Sequence, residues 1–256
     1  MTHAVASVTT TAPGQVRGAT KLAPAQLVGG IGGLVFAVSV AAQNLLRSVD
    51  LPGDNANPAS VTAYYASHRG VTLALAALYP IGALGLAAFL GALLSRLSAP
   101  AVRGAALAGG FGGAGIIAMF TVTLATDTAL AQYVHHGHPA PDVVSAMWLT
   151  HNAVFGVLLV SIGVALAGLS AASAGAGLVP AAWKRVGLIG AIALAVAGGC
   201  TPALLDGSKV LILGLLGFLT WLLFVATAAI ALIRRSTAGA ASAATETWAD
   251  LSATVQ

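Results

Sequence analysis

Apolar residues gather in six long runs that are separated by short polar segments. The runs lie at about 22–46, 71–97, 104–126, 143–172, 186–205 and 210–233. Each is close to the ~20 residues that a helix needs to cross a bilayer, and none alternates with the period of two of a membrane β-strand. Because a helix satisfies its own backbone hydrogen bonds in lipid, the pattern predicts an all-α integral membrane bundle of six transmembrane helices.

Composition supports a membrane protein. The chain is 58% hydrophobic and only 7% charged, whereas a soluble domain carries about 25% charged residues. If the N-terminus is cytoplasmic, eight of the eleven Lys and Arg residues fall on the cytoplasmic side and three fall outside. Positive residues favour the cytoplasmic side, so we predict that both termini are cytoplasmic. The net charge of +4 then reflects orientation, and we expect no nucleic-acid partner.

One alternative concerns the N-terminus. Ser39-Val40-Ala41 resembles a signal-peptide cleavage site after an apolar run. Cleavage there would leave five helices and an outside N-terminus. The polar leader is long for a signal peptide and the run continues through Leu46, so the uncleaved six-helix chain is favoured.

The segments outside the runs also carry predictions. Residues 1–21 and 236–256 lack apolar periodicity, which predicts a disordered cytoplasmic leader and a disordered cytoplasmic tail. Asn57-Pro58 predicts a capped start for a short outer interfacial helix at 58–68, with Gly70 as its stop. Its tyrosines, Tyr64 and Tyr65, are expected at headgroup level.

The same region carries a resemblance. Residues 60–97, beginning SVTAYYASHRG, resemble an uncharacterised group of actinobacterial multi-pass membrane proteins with an outer "AYYADHRG"-like segment. VPAAWKRVGLIG at 179–190 and LLGFLTWLLFV at 215–225 are similar to that group as well. The resemblance implies a six-helix fold and a location in the bacterial inner (plasma) membrane. It implies no activity and no active-site residues.

Polar residues near the membrane ends are the best functional candidates, because each is costly in lipid. If the chain turns near Pro139, then Asp127 and His151, each twelve residues away, lie at one depth. The first helix ends in polar residues at a similar level, and Trp148 is a plausible interface anchor. We predict an outer-leaflet polar pocket that consists of Gln43, Asn44, Arg47, Asp127, His151 and Asn152.

Two interpretations of this cluster stay open. In the functional one, His151 and Asp127 exchange a proton or hold a polar ligand in an outward-facing pocket. In the structural one, Asp127 pairs with Arg47 or His151 and ties three helices together. The functional interpretation fits a ligand-sensing protein. The structural interpretation fits a structural or accessory protein. A small proton-coupled transporter that uses Asp127 and His151 is the alternative to both.

Other chemistry finds little support. The stretch QYVHHGHP at 132–139 offers His135, His136 and His138 as metal ligands, but Gly137 and Pro139 break the helix there. We therefore predict a solvated turn. A membrane haem held by two histidines needs both within the helices, and only His151 qualifies. With no catalytic motif in the sequence, we expect neither a cofactor nor an enzyme.

The expected partners follow from the class of protein. They are the lipid bilayer, a membrane protein or a second copy of the chain, and a small ligand. Two GxxxG motifs, Gly29 with Gly33 and Gly109 with Gly113, let helices approach closely. Internal packing is the favoured interpretation of both, ahead of a dimer face.

Overall fold

The computed structural model describes residues 14–254 of the chain, and in this range it consists of helices and connections, with no strand. The eight helices are α1 (Gly14–Arg47), α2 (Pro58–Ser67), α3 (Arg69–Arg96), α4 (Pro100–His136), α5 (Pro141–Gly175), α6 (Trp183–Gly199), α7 (Thr201–Leu205) and α8 (Leu211–Thr254). The all-helical prediction is confirmed for this part of the chain.

Five of the described helices are long and apolar enough to cross a membrane. They cover Pro24–Arg47, Arg69–Arg96, Pro100–His136, Pro141–Gly175 and Leu211–Gly239. The sixth predicted span corresponds to α6, which has 17 residues and is about 25 Å long at 1.5 Å per residue. Helix length thus supports a membrane protein with five spans, and α6 is the short sixth helix of the bundle.

The predicted span at 186–205 divides into α6 and α7 at Cys200. Proline in a helix interior lacks an N–H and clashes with the carbonyl four residues earlier. In a continuous helix, Pro202 would clash with the Gly198 carbonyl and could not donate to it. The Thr201 hydroxyl donates to that carbonyl instead, at 2.5 Å. The apolar run continues across this break, which is why hydrophobicity alone predicted one helix.

Three predicted boundaries differ from the structure. Of the predicted leader, residues 1–13 lie outside the described residues, and α1 already begins at Gly14. Along the predicted tail, α8 continues as a helix as far as Thr254. Its many alanines favour helix. The fourth helix, α4, continues ten residues beyond the predicted end at 126, and Asp127 at the start of this extension is bound by partners inside the bundle.

The helices form two packed groups. In one group α1 packs against both α3 and α8, and in the other α5 packs against both α4 and α6. The groups meet where α6 contacts α8 and where α3 contacts α4. The space between α1, α3, α4, α5 and α8 is incompletely filled, and it forms the cavity described below.

Glycine brings the helices of each group close together. A Cβ placed on Gly168 of α5 would lie 2.5 Å from the Ala105 carbonyl oxygen of α4, so only glycine fits there. Gly33 faces Phe89 and Ala229, and Gly109 faces Leu169. Both GxxxG motifs thus contact helices of the same chain, as small residues do when backbones approach closely in lipid.

The short helix α2 covers one end of the bundle. Asn57 caps it, as its side-chain oxygen accepts from the Ser60 N–H at 2.9 Å, and Pro58 is its first residue. Gly70 does not stop it, since α2 ends at Ser67 and α3 begins at Arg69. We call loop 48–57 together with α2 the lid, and the side of the bundle that it covers the lid end.

Candidate functional site

A buried ion pair lies directly beneath the lid. Arg47, the last residue of α1, donates through Nη1 to Asp127 Oδ2 at 2.5 Å and through Nη2 to Asp127 Oδ1 at 2.9 Å. Such bidentate pairs are among the stronger charge-assisted hydrogen bonds. The Asp127 side chain is 4% exposed and that of Arg47 is 22% exposed, so the pair is largely removed from water.

His151 of α5 completes this arrangement. Its Nε2 lies 2.8 Å from Arg47 Nη2. An arginine can only donate, so Nε2 accepts and carries no proton in this arrangement. The proton is then on Nδ1, which lies 3.2 Å from Asp127 Oδ1 at an angle outside hydrogen-bonding range. The Trp148 ring stacks on the imidazole with centroids 5.2 Å apart.

The lid adds a fourth member. The Tyr65 hydroxyl donates to Asp127 Oδ1 at 2.5 Å, and Tyr65 is 1% exposed. Burial, followed by the charge of Asp127, raises the pKa of Tyr65 well above its ordinary value, so its hydroxyl remains a donor. Burial also raises the pKa of Tyr64, whose hydroxyl donates to the Arg47 carbonyl at 3.2 Å. We call Arg47, Tyr65, Asp127 and His151 the polar clasp.

The lid tyrosines are buried against the bundle. Tyr64 is 7% exposed and both rings point into the bundle. Val61, Tyr64 and Tyr65 fall at helical spacing on one face of α2, and the structure buries that face. This face is the sequence signal that could have identified Tyr65 as a site residue. A tyrosine on the apolar face of a covering helix has a hydroxyl that needs a partner, and the Asp127 carboxylate lies below it.

Two side chains of α5 hold the loop of the lid. Trp148 donates from Nε1 to the Gly53 carbonyl at 3.2 Å, and Asn152 donates from Nδ2 to the Asp54 carbonyl at 3.1 Å. Burial raises the pKa of the Asp54 carboxyl. Trp148, predicted as an interface anchor, is 2% exposed. The Asn152 amide therefore binds the lid.

The remaining predicted pocket residues lie around the clasp. Gln43 is 7% exposed and lines the cavity beneath it. Asn44 is on the surface and donates to the Val40 carbonyl of its own helix at 2.8 Å. The structure thus brings Arg47, Asp127 and His151 together and leaves Asn44 at the edge.

The histidine-rich stretch forms a surface feature. His135 and His136 belong to the last turn of α4, and His138 follows in the connection to α5. The rings of His135 and His136 are 5.0 Å apart. Among the described residues, no three His, Cys, Asp or Glu side chains come together as metal ligands. The hairpin turns between His136 and Pro141, which brings Asp127 level with His151.

A cavity of about 400 Å³ extends from the clasp into the bundle. This volume is within the range of small-molecule sites, which are mostly apolar with a few placed polar groups. Clasp residues, Gln43 and Asn152 line its lid end. Below them the wall is apolar, and it includes Val40, Leu75, Leu86, Phe155, Leu159 and Phe218. All six residues of the predicted polar pocket line this cavity, whereas its apolar extension was not predicted.

Trp221 closes the deep end of the cavity. It lies in α8, is fully buried, and packs edge-on against Phe36 of α1 with ring centroids 6.4 Å apart. Its indole Nε1 has no hydrogen-bond partner among the described residues. A buried tryptophan N–H usually finds a partner, so the deep wall contains one unused donor.

The arrangement allows binding but holds little reactive chemistry. The carboxylate of Asp127 and Nε2 of His151 both accept hydrogen bonds from the Arg47 guanidinium, which occupies the two groups that could act as bases. Comparisons with protein-family models, with curated proteins and with solved structures found no match. Function is therefore argued from the geometry.

Proposed function

We propose that this chain is a ligand-binding membrane protein that holds an uncharged, mostly apolar molecule in the cavity beneath its lid. The carrying observation is the cavity of about 400 Å³ between the two helix groups, polar at the lid end and apolar below. A bundle that served only as a scaffold has no need of such a space, because interiors normally pack to high density.

The charge balance at the clasp determines the type of ligand. Arg47 and Asp127 neutralise each other through two hydrogen bonds, and His151 accepts from the same guanidinium. An ionic ligand would have to break a buried pair, which costs several kcal/mol. A neutral molecule leaves the pair intact and exchanges only apolar surface with the wall. This favours an uncharged ligand.

We further propose the membrane topology. The basic residues at the ends of the helices favour six spans, with α6 as the fifth, both termini cytoplasmic and the lid outside. We also propose that the protein lies in a bacterial inner membrane and is related to the actinobacterial group. The ligand site then lies in the outer half of the bilayer, where the protein can sense what that leaflet contains.

The second candidate function is structural or accessory, and the closed clasp favours it. Arg47 from α1, Tyr65 from α2, Asp127 from α4 and His151 from α5 join four helices at the lid end. A proton-coupled transporter through Asp127 and His151 is less favoured, because the cavity ends at Trp221 and Phe36. Transport needs a second opening beyond that point.

The proposal is tested by asking what the purified protein carries. Leu75 of α3 lines the cavity and is 7% exposed, whereas Leu78, one turn away, is 49% exposed on the outer face. We expect mass spectrometry to detect a co-purified apolar molecule with the wild-type protein and with Leu78→Trp. Leu75→Trp fills the cavity and should lose that molecule. Equal retention by both variants, or no bound molecule in the wild type, would contradict the proposal.

A further inference from the structure

The seam between α1 and α8 is tight away from the lid. A Cβ on Gly30 would lie 2.8 Å from the Ala229 carbonyl oxygen, and one on Gly33 would lie 3.0 Å from the Ala229 Cβ. Closer to the lid, Phe36 and Trp221 meet across the seam, and they are 6% and 0% exposed. The two helices therefore leave no gap along this half of the seam.

Towards the lid the same seam opens. Leu211, Ile212 and Leu215 of α8 line the cavity and yet are 38%, 59% and 55% exposed. On the α1 side, Asn44 and Ser48 also line the cavity and are exposed. Residues that belong to both the cavity wall and the outer surface mark an opening. We call this opening, between Asn44–Ser48 and Leu211–Leu215, the side portal.

Hydrogen bonds cross the lid and the α3–α4 seam around the cavity. Above it, the lid is held by the Tyr65–Asp127 bond, and its loop contacts the turn before α8, where Asn55 lies against Gly207. Across the α3–α4 seam, the Tyr79 hydroxyl donates to the Ile117 carbonyl at 2.8 Å. At the side portal, exposed residues of both α1 and α8 line the cavity.

We infer that the cavity is filled sideways through the portal from the surrounding leaflet, and that its ligand is a slim, uncharged lipid. This inference rests on the proposed function and names its ligand class. The portal lies on spans Pro24–Arg47 and Leu211–Gly239, so its exposed leucines face hydrocarbon chains. A molecule already dissolved in the membrane reaches it without crossing water.

The two sides of the portal match the two parts of such a molecule. The α8 side is apolar throughout, while the α1 side presents the amide of Asn44 and the hydroxyl of Ser48. A polar, uncharged headgroup can rest at the α1 side while one hydrocarbon chain enters the apolar wall. The volume of about 400 Å³ suits a single chain, which favours a one-chain lipid over a two-chain phospholipid.

Photo-crosslinking in vesicles tests the inference. The full chain is placed in phosphatidylcholine vesicles that contain a monoacylglycerol with a diazirine in its chain, and adducts are mapped by mass spectrometry. Adducts at Phe36 and Val40, both buried cavity residues, report entry. Adducts at Leu84, 71% exposed on α3, report contact with bulk lipid.

Variants at the portal separate entry from binding. Leu215→Trp and Ile212→Trp place a large ring in the portal, and Leu219→Trp places the same ring one turn away on the lipid-facing side, where residue 219 is 48% exposed. We expect cavity adducts in the wild type and Leu219→Trp, their loss in both portal variants, and unchanged adducts at Leu84 throughout. Two portal positions are used so that one variant still tests the inference if the other fails to fold.

Each other outcome overturns a distinct statement. Wild-type levels of cavity adducts in both portal variants would refute the side portal and leave the proposed function standing. An absence of cavity adducts in the wild type, while Leu75→Trp still loses a co-purified molecule that Leu78→Trp retains, would refute the lipid class alone. An absence of both signals would refute the inference and the proposed function together.

Discussion

At the residue scale, the polar clasp shows how a carboxylate is kept in a lipid-facing bundle. Asp127 receives two hydrogen bonds from Arg47 and one from Tyr65. The sequence placed Asp127 and His151 at one depth through their equal distance from Pro139, but left the partner of Asp127 open between Arg47 and His151. The structure shows that Arg47 and His151 both contact Asp127. Arg47 also reaches His151, because its guanidinium has more than one donor and lies between α4 and α5.

The clasp gives a stability prediction. Asp127→Asn removes the counter-charge of Arg47 and is expected to lower the free energy of unfolding. Breaking a buried pair costs about 3–5 kcal/mol, and we expect the lower part of that range because the Arg47 side chain is 22% exposed. Thermal unfolding in detergent measures the change. Asp142→Asn, at an exposed position in the first turn of α5, is the matched control.

A further variant isolates the pairing. Replacing both members, as in Arg47→Met with Asp127→Leu, leaves no uncompensated charge and should restore part of the lost stability. If Asp127→Asn and Asp142→Asn melt alike, the ion pair contributes little and the structural candidate loses its basis.

At the element scale, local signals predicted the fold where they were decisive. Asn57-Pro58 began α2 as predicted, since a cap and an N1 proline act within one turn. The end of α4 was missed because Asp127 looks like a boundary until its partners on α1 and α2 are known. The polar end of the cavity was predicted, but its apolar depth was missed, because that depth depends on how five helices diverge and no single helix contains that information.

Helix pairing gives the next prediction. In Gly168→Ala the new Cβ would lie 2.5 Å from both the Ala105 carbonyl oxygen and the Gly109 nitrogen, so α4 and α5 must separate. Overpacking of this kind costs about 1–3 kcal/mol. Gly104→Ala, where nothing lies within 4 Å, should instead gain up to about 1 kcal/mol from helix propensity. Unfolding in detergent gives both values, and equal melting temperatures would show that the backbones do not approach this closely.

At the scale of the whole molecule, the two helix groups explain why the lid matters. Each group is tight within itself, while the groups share fewer contacts and leave the cavity between them. The clasp joins α1 of one group to α4 and α5 of the other. The lid and the clasp therefore lie where a relative movement of the groups would open or close the site.

The final prediction concerns α6, on which the six-span topology depends. Lys184 lies at the start of α6 and Lys209 just before α8, and both are exposed. In a Cys200→Ser background, Lys209→Cys and Ser67→Cys on the lid should react with a membrane-impermeant maleimide on intact cells. Lys184→Cys should react only after permeabilisation, because α6 would carry the chain across the bilayer. Labelling of residues 184 and 209 from the same side would contradict the six-span topology, because the turn before α8 lies against the lid while α6 begins at the opposite end of the bundle.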